Sequence, residues 1–235
     1  MFLVFRDRPS NSPFIERVWR CHSERAGELV SVASPHWEMV VTRHRGRTTL
    51  TLRGPETRSS TFDCPADAEW IGVRFTLGTF MPHQPVSTLI DRNDVTLGAT
   101  RRSFWFEGAS WELPAFENAE AFVRRLVNAG LVVRDPAVPA VLRGERRSLS
   151  VRSEQRHFLH ATGMTHATFR KIERARYATS LLTQGAPIAD VVHEAGYFDQ
   201  PHLTRSLKHL IGETPARIIR QERQLSFLYK TAPPR

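Results

Sequence analysis

Cysteine is nearly missing from this chain: Cys21 and Cys64 are the only two in 235 residues. Two thiols allow at most one disulfide and cannot build a four-thiolate zinc cluster, so a disulfide-stapled scaffold is excluded. Closely spaced histidines are missing as well. His22, His36, His44 and His83 are scattered, which argues against a metal centre in the first half. No glycine-rich phosphate loop and no nucleophile–base constellation occurs, so neither catalysis nor a cofactor is expected. The opening run Met1–Phe5 is apolar, but Arg6, Asp7 and Arg8 stop it short of a signal-peptide core. Nothing approaches the roughly 20 apolar residues that span a bilayer. The expectation is a non-enzymatic cytoplasmic protein without a membrane anchor.

What is abundant is positive charge. Thirty-three Lys and Arg against 24 Asp and Glu leave a formal net charge of +9, a balance that favours polyanions. Residues 148–235 hold 13 basic and 7 acidic residues, a net of +6, while the longer remainder (20 against 17) carries +3.

The two parts also differ in pattern. All five tryptophans (Trp19, Trp37, Trp70, Trp105, Trp111) precede residue 112, with most of the phenylalanines. Trp37–Val41 and Thr48–Leu52 flank Arg43-His44-Arg45-Gly46 and alternate with period two, the signature of a hairpin. Gly54-Pro55 ends it, Glu69–Phe75 alternates again, and Leu29–Ala33 and Ser103–Phe106 read as further strands. After Pro114 the rhythm is helical: Phe116, Phe122, Val123, Leu126 and Val127 recur at helical spacing and stop near Gly130. The boundary is placed at 112–118, giving a β-rich domain over 1–114 and a domain of seven helices over 115–235. Thr231–Arg235 reads as a frayed tail. Because an apolar helix joins the halves where a Gly/Ser linker would tether them loosely, the two are expected to be packed together.

The helical part repeats at an offset of 49. Arg156, Phe158, His160 and Gly163 recur as Arg205, Leu207, His209 and Gly212, followed by Thr165 and Thr214, then Glu173-Arg174 and Glu222-Arg223. Each copy starts on a capping residue (Ser150, Asp199), runs about three turns, closes on glycine and restarts after threonine. In the second copy Pro187 opens a short helix striped by Ile188, Val191, Val192 and Ala195. Gly196 permits a left-handed turn, and Pro201 falls in the first turn of the next helix. Leu203, Leu207 and Leu210 face inward, leaving Gln200, His202, Thr204, Arg205 and Lys208 outside. Two short helices joined by a glycine turn, the second with an Arg/Gln face, form a helix-turn-helix able to pair with guanine and adenine edges. The alternative is a solvated helical hairpin.

The run Ala195-Gly196-Tyr197-Phe198-Asp199-Gln200, His202 to Lys208, and Gly212-Glu213-Thr214-Pro215 closely resembles the C-terminal signature of the AraC/XylS family of transcription regulators, over about residues 134–222. The resemblance implies two helix-turn-helix units, at about 136–163 and 187–212, joined by a long helix, with double-stranded DNA as partner. It implies that the helix from Gln200 to Ile211 enters a major groove, and that Arg152, Gln155 and Arg156 are the first reading set. Those three share one helix face at i, i+3, i+4, opposite an inward stripe of Val151, Phe158 and Ala161. Two departures stand out: Glu154 occupies the place of Leu203, and Arg147 that of Gly196. A buried carboxylate is costly unless paired, so either Glu154 meets an arginine or the helix is rotated.

The joining helix, Thr165 to about Thr183, spans on the order of 27 Å, enough to hold two reading heads about one DNA turn apart. Its Arg170, Lys171, Arg174 and Arg176 stand either as phosphate contacts or as a solvated face. Relatives commonly carry a cupin-like barrel or sandwich that senses a small molecule or dimerises. An effector and a homodimer are accordingly the further partners weighed, with RNA polymerase if the protein activates. The whole is an α+β chain. The rival reading is an enzyme or alkyl-transfer sensor, with Cys21 or Cys64 as acceptor and the helical part accessory.

Overall fold

The computed structural model describes residues 2–145, 150–220 and 225. Its N-terminal part contains strands β1 (Leu3–Pro9), β2 (Ile15–Ser23), β3 (Gly27–Ser31), β4 (Glu38–His44), β5 (Arg47–Arg53) and β6 (Ser60–Cys64). They are followed by β7 (Glu69–Phe75), β8 (Thr79–Phe80), β9 (Val95–Leu97), β10 (Ser103–Phe106) and β11 (Ala109–Glu112). Then come α1 (Ala119–Asn128), β12 (Val133–Arg134), α2 (Ala137–Leu142), α3 (Val151–Thr162) and α4 (His166–Thr183). The chain goes on through α5 (Ile188–Glu194), α6 (Gln200–Leu210) and α7 (Pro215–Ile219). The architecture is α+β: antiparallel sheets first, helices after.

Six strands form one sheet in the order β1-β2-β7-β4-β5-β9. The expected hairpin is β4–β5, with Val41 opposite Leu50 and Arg43 opposite Thr48. Its turn residues Arg45 and Gly46 have φ 48° and 76°, the left-handed pair whose twist matches a two-residue hairpin. Strands β1 and β2 were not expected, because both faces of this sheet are covered and their sequences do not alternate cleanly. One face packs Val18, Val73, Met39 and Leu52 against α1 and the β10–β11 hairpin. The β3–β6 ribbon covers the other, placing Leu29, Phe62 and Cys64 beside Leu3 and Trp70.

Helix α1 belongs to this core. Ala119, Phe122, Val123 and Leu126 are buried with the sheet residues, and β12 pairs with β8. The pattern therefore changes near residue 114, but the hydrophobic core changes only near 135. Arg8 clamps α1 to β1, donating to Glu120 and to the Phe116 carbonyl. That hydrogen bond from Arg8 is the largest influence holding the Glu120 carboxyl at about 2, below its usual 4.5. A depressed carboxylate contributes stability present above its unfolded pKa and lost as pH falls through the folded one. Glu120→Gln is accordingly expected to match wild type less closely above about pH 5 and to converge on it near pH 2. Urea melts across that range check this; a wild-type minus variant difference independent of pH would remove the ion pair from the acid limb.

Buried charge marks the end of the sheet nearest the helices. Arg74, 1% exposed, donates from Nε to Glu38 at 2.6 Å and lies 3.7 Å from Glu16, which approaches His36 at 3.4 Å. Burial pushes the His36 imidazole below its ordinary range against the pull of Glu16, and its Nδ1 donates to the Phe75 carbonyl. Arg176 of α4 feels this cluster electrostatically and is itself buried.

Candidate nucleic-acid interface

The repeat in the sequence is a repeat of helix ends. Ser150 and Asp199, both extended, accept from the N–H groups of Ser153 and His202 at the starts of α3 and α6. Gly163 (φ 74°) and Gly212 (φ 85°) leave those helices in the left-handed region that favours glycine. Thr165 and Thr214 then cap α4 and α7 through their hydroxyls. Seven α-helices lie among the described residues.

In the second unit Leu203, Leu207 and Leu210 are buried with Val191, Ala195 and Tyr197 beneath α6. Gln200, Arg205 and Lys208 are exposed on the other side, while Thr204 is half-buried. His202 is also half-buried. Its ring sits edge-on to Tyr197 and accepts from the Phe198 N–H, so it closes the turn and does not project from it. The turn is held from below by α4. Arg174 donates to the Gly196 carbonyl at 3.3 Å and lies 4.6 Å over the Tyr197 ring, whose hydroxyl meets Ser206 at 3.0 Å. Phe198 is 91% exposed, immediately before the α6 cap. Sequence reasoning passed over it, although an aromatic following the turn glycine was the available signal.

The first unit keeps the pattern with differences. Arg152, Gln155 and Arg156 are exposed on α3 as expected. Val151 is not part of the inward stripe; it is 69% exposed, because the buried face begins at His157 and Phe158 and runs to Ala161 and Thr162. Glu154 is half-buried, so no buried carboxylate arises there. Arg147 lies outside the described residues, as do Glu222, Arg223 and the tail at 231–235. Gly144 (φ 68°) supplies a left-handed residue after α2, ahead of the expected place. His157 meets Asp135 at 2.7 Å and secures α3 to the segment before α2.

Of the basic residues on α4, Arg170 and Lys171 are exposed. Arg174 is committed to the turn, and Arg176 is 8% exposed with Glu173 at 3.5 Å, so it is no phosphate contact. The position of Arg176 on the helix faces the β domain and not solvent.

The β domain holds the C-terminal ends of both α3 and α6. The Ala33 N–H donates to the Leu210 carbonyl at 2.7 Å, and the Ser59 N–H to that of His209 at 2.9 Å. These bonds satisfy carbonyls that the end of α6 leaves without helical partners. A side chain at Gly212 would come within 2.9 Å of Val30 and 3.1 Å of Ser59. Gly163 is likewise close to Val86 and Ser87, and Phe80 meets the His160 ring edge-on. The two domains are thus packed together.

Among the described residues no group of His, Cys, Asp or Glu gathers as a metal site, and no helix is long and apolar enough to cross a membrane. Burial raises the Cys64 thiol above its ordinary range, which disfavours the thiolate that alkyl transfer would need. A protein-family model described as a helix-turn-helix domain matches residues 145–221, the span from before α3 to past α7. No curated protein and no solved structure matches the chain.

Proposed function

Residues 145–221 are a helix-turn-helix domain of the AraC/XylS type, which makes the chain a DNA-binding transcription regulator, and from that premise we propose that it reads a specific sequence with two helices and is modulated through its β domain. The observation that carries this is the pair of exposed polar helix faces, each set by the same caps and glycine exit. Arg152, Gln155 and Arg156 are one reading set; Gln200, Thr204, Arg205 and Lys208 are the other, with His202 as a support of the turn. Held by α4, they lie along successive major grooves on one side of the duplex. Arg170 and Lys171 meet phosphate. Phe198 lies against the sugar–phosphate backbone or a thymine methyl, the contact an exposed aromatic makes at a groove edge.

Modulation follows from the packing. A small molecule or a second copy that displaced Ala33 or Ser59 would change the support of α6 at its C-terminal end. The test is a gel shift on the DNA upstream of the protein's own coding region, across a salt series. Specific binding whose log K falls linearly with log salt is expected. Equal affinity for unrelated sequences would make the protein a non-specific architectural binder, and no binding at all would defeat the reading. Phe198→Ala is expected to weaken binding while leaving the melting temperature in place, since its side chain packs on nothing in the free protein.

A further inference from the structure

The sheet register sorts the face beneath α1 into rows. The row Arg8, Val18, Val73, Met39 and Leu52 is apolar apart from Arg8, which Glu120 neutralises. One step further from the helical domain, the row runs Arg6, Arg20, Ile71, Val41, Leu50. The last row is Val4, His22, Glu69, Arg43, Thr48. Three arginines therefore stand on the face that elsewhere builds the core, at the end left open by α1. They line a cleft of about 540 Å³, within the range of small-molecule sites, with Val4, Ile71 and Phe116 as apolar walls and Glu69 and Glu117 at its margin, so arginines outnumber carboxylates three to two.

Two features separate these arginines from others in the domain. Arg8, Arg17 and Arg74 each meet a carboxylate: Glu120, Asp7 and Glu38. Arg20 is held less closely, 3.5 Å from Glu117 with its guanidinium 4.8 Å over the Phe116 ring. The side chains of Arg6 and Arg43 make no ion pair or hydrogen bond among the described residues, although Glu69 stands opposite Arg43 in the register and lines the same cleft. Arg6 also stands directly opposite Arg20 in the register, a like-charge cross-strand pair that destabilises a sheet. The adjoining cleft of about 460 Å³ adds Arg45, Arg47 and Arg101 against Asp67 and Glu69, so the positive excess continues there. Repulsion between Arg6 and Arg20 is relieved by an anion bound between them.

We propose that this cleft binds a small organic carboxylate, with Arg6 and Arg43 on the anion and Val4, Ile71 and Phe116 on its apolar body. The planar guanidinium fork matches a carboxylate in two-point fashion, and the walls require a hydrocarbon part that inorganic anions lack. The inference rests on the reading of the β domain as a sensing domain, and names the ligand class.

The probe is cyclohexanecarboxylate on the full chain, followed by calorimetry and thermal shift, with cyclohexanecarboxamide as neutral isostere and inorganic phosphate as an anion without an apolar body. Saturable binding of the carboxylate, with the amide and phosphate at least tenfold weaker, is expected. Arg43→Gln and Arg6→Gln should each raise the dissociation constant at least tenfold. Arg6→Gln should leave the ligand-free melting temperature unchanged or higher, since it relieves the pair with Arg20; a fall would make Arg6 structural and overturn its role. Equal binding of carboxylate and amide, tighter binding of phosphate, no saturable binding, or unaltered affinity in both variants would each overturn the proposal. Gel shifts on the same samples separate the two readings. DNA binding without carboxylate binding removes this site alone, whereas carboxylate binding without DNA binding removes the regulator and leaves the site.

Discussion

Arg205→Ala is expected to relax sequence specificity at one or two base pairs while leaving the rest of the footprint intact. Arg205 is exposed on α6, one turn beyond the Asp199 cap, and no acidic partner competes for its guanidinium among the described residues. A guanidinium paired in two-point fashion with guanine contributes about 1–3 kcal/mol of discrimination, or roughly 5- to 150-fold. Arg156→Ala should do the same at the other half of the site. Arg170→Ala should behave differently, weakening all sequences alike and lowering the salt slope by about one. The measurement is binding to a set of single-base-pair variants of the footprinted site. Uniform weakening by Arg205→Ala across that set would assign the residue to phosphate.

Arg74→Ala is expected to be the most destabilising single change in the β domain. The guanidinium is fully buried and serves two carboxylates, Glu38 at 2.6 Å and Glu16 at 3.7 Å, on the side of the sheet that faces α4. Its removal takes the Arg74 guanidinium away from the buried Glu38 carboxylate, a loss of about 3–5 kcal/mol. For a chain of this size that corresponds to a melting temperature lower by roughly 6–20 °C. Replacing the pair together, Arg74→Met with Glu38→Leu, should cost far less, because the expensive state is one unpaired buried charge. Chemical denaturation of the two proteins decides it. A loss under about 1 kcal/mol for Arg74→Ala would mean that other donors hold Glu38, with Arg176 the nearest candidate on α4.

Much of the reading surface was legible in the sequence because its determinants are local. Ser150, Thr165, Asp199 and Thr214 cap whichever helix follows them, and Gly163 and Gly212 end helices by virtue of lacking a side chain. The leucines of α6 recur at helical spacing, so the outward placement of Gln200, Arg205 and Lys208 follows from the period alone. His202 shares that helix, yet its ring turns back to Tyr197, a contact the period does not contain. The hairpin β4–β5 was equally visible, being an alternating pair across a short turn.

Charge was where local pattern misled. Arg174 and Arg176 sit in a basic run that reads as solvated or phosphate-facing, but one secures the Gly196 turn and the other is buried beside the sheet. Strands β1 and β2 escaped notice since Arg6, Arg8 and Arg20 face the same side as core residues; what makes this tolerable for Arg8 and Arg20 is Glu120 and Glu117, about a hundred residues away on the α1 segment. Likewise the helical rhythm after Pro114 announced α1 without revealing that its apolar side completes the core of the sheet.

By itself, then, the sequence determined the capped helices α3, α4, α6 and α7 and much of what they expose, because capping, left-handed exits and helical period act over a few residues. Only the tertiary structure decided which arginines are buried, which are neutralised and which stand open in a cleft, since a charge is stabilised or left unpaired by whatever distant segment folds against it.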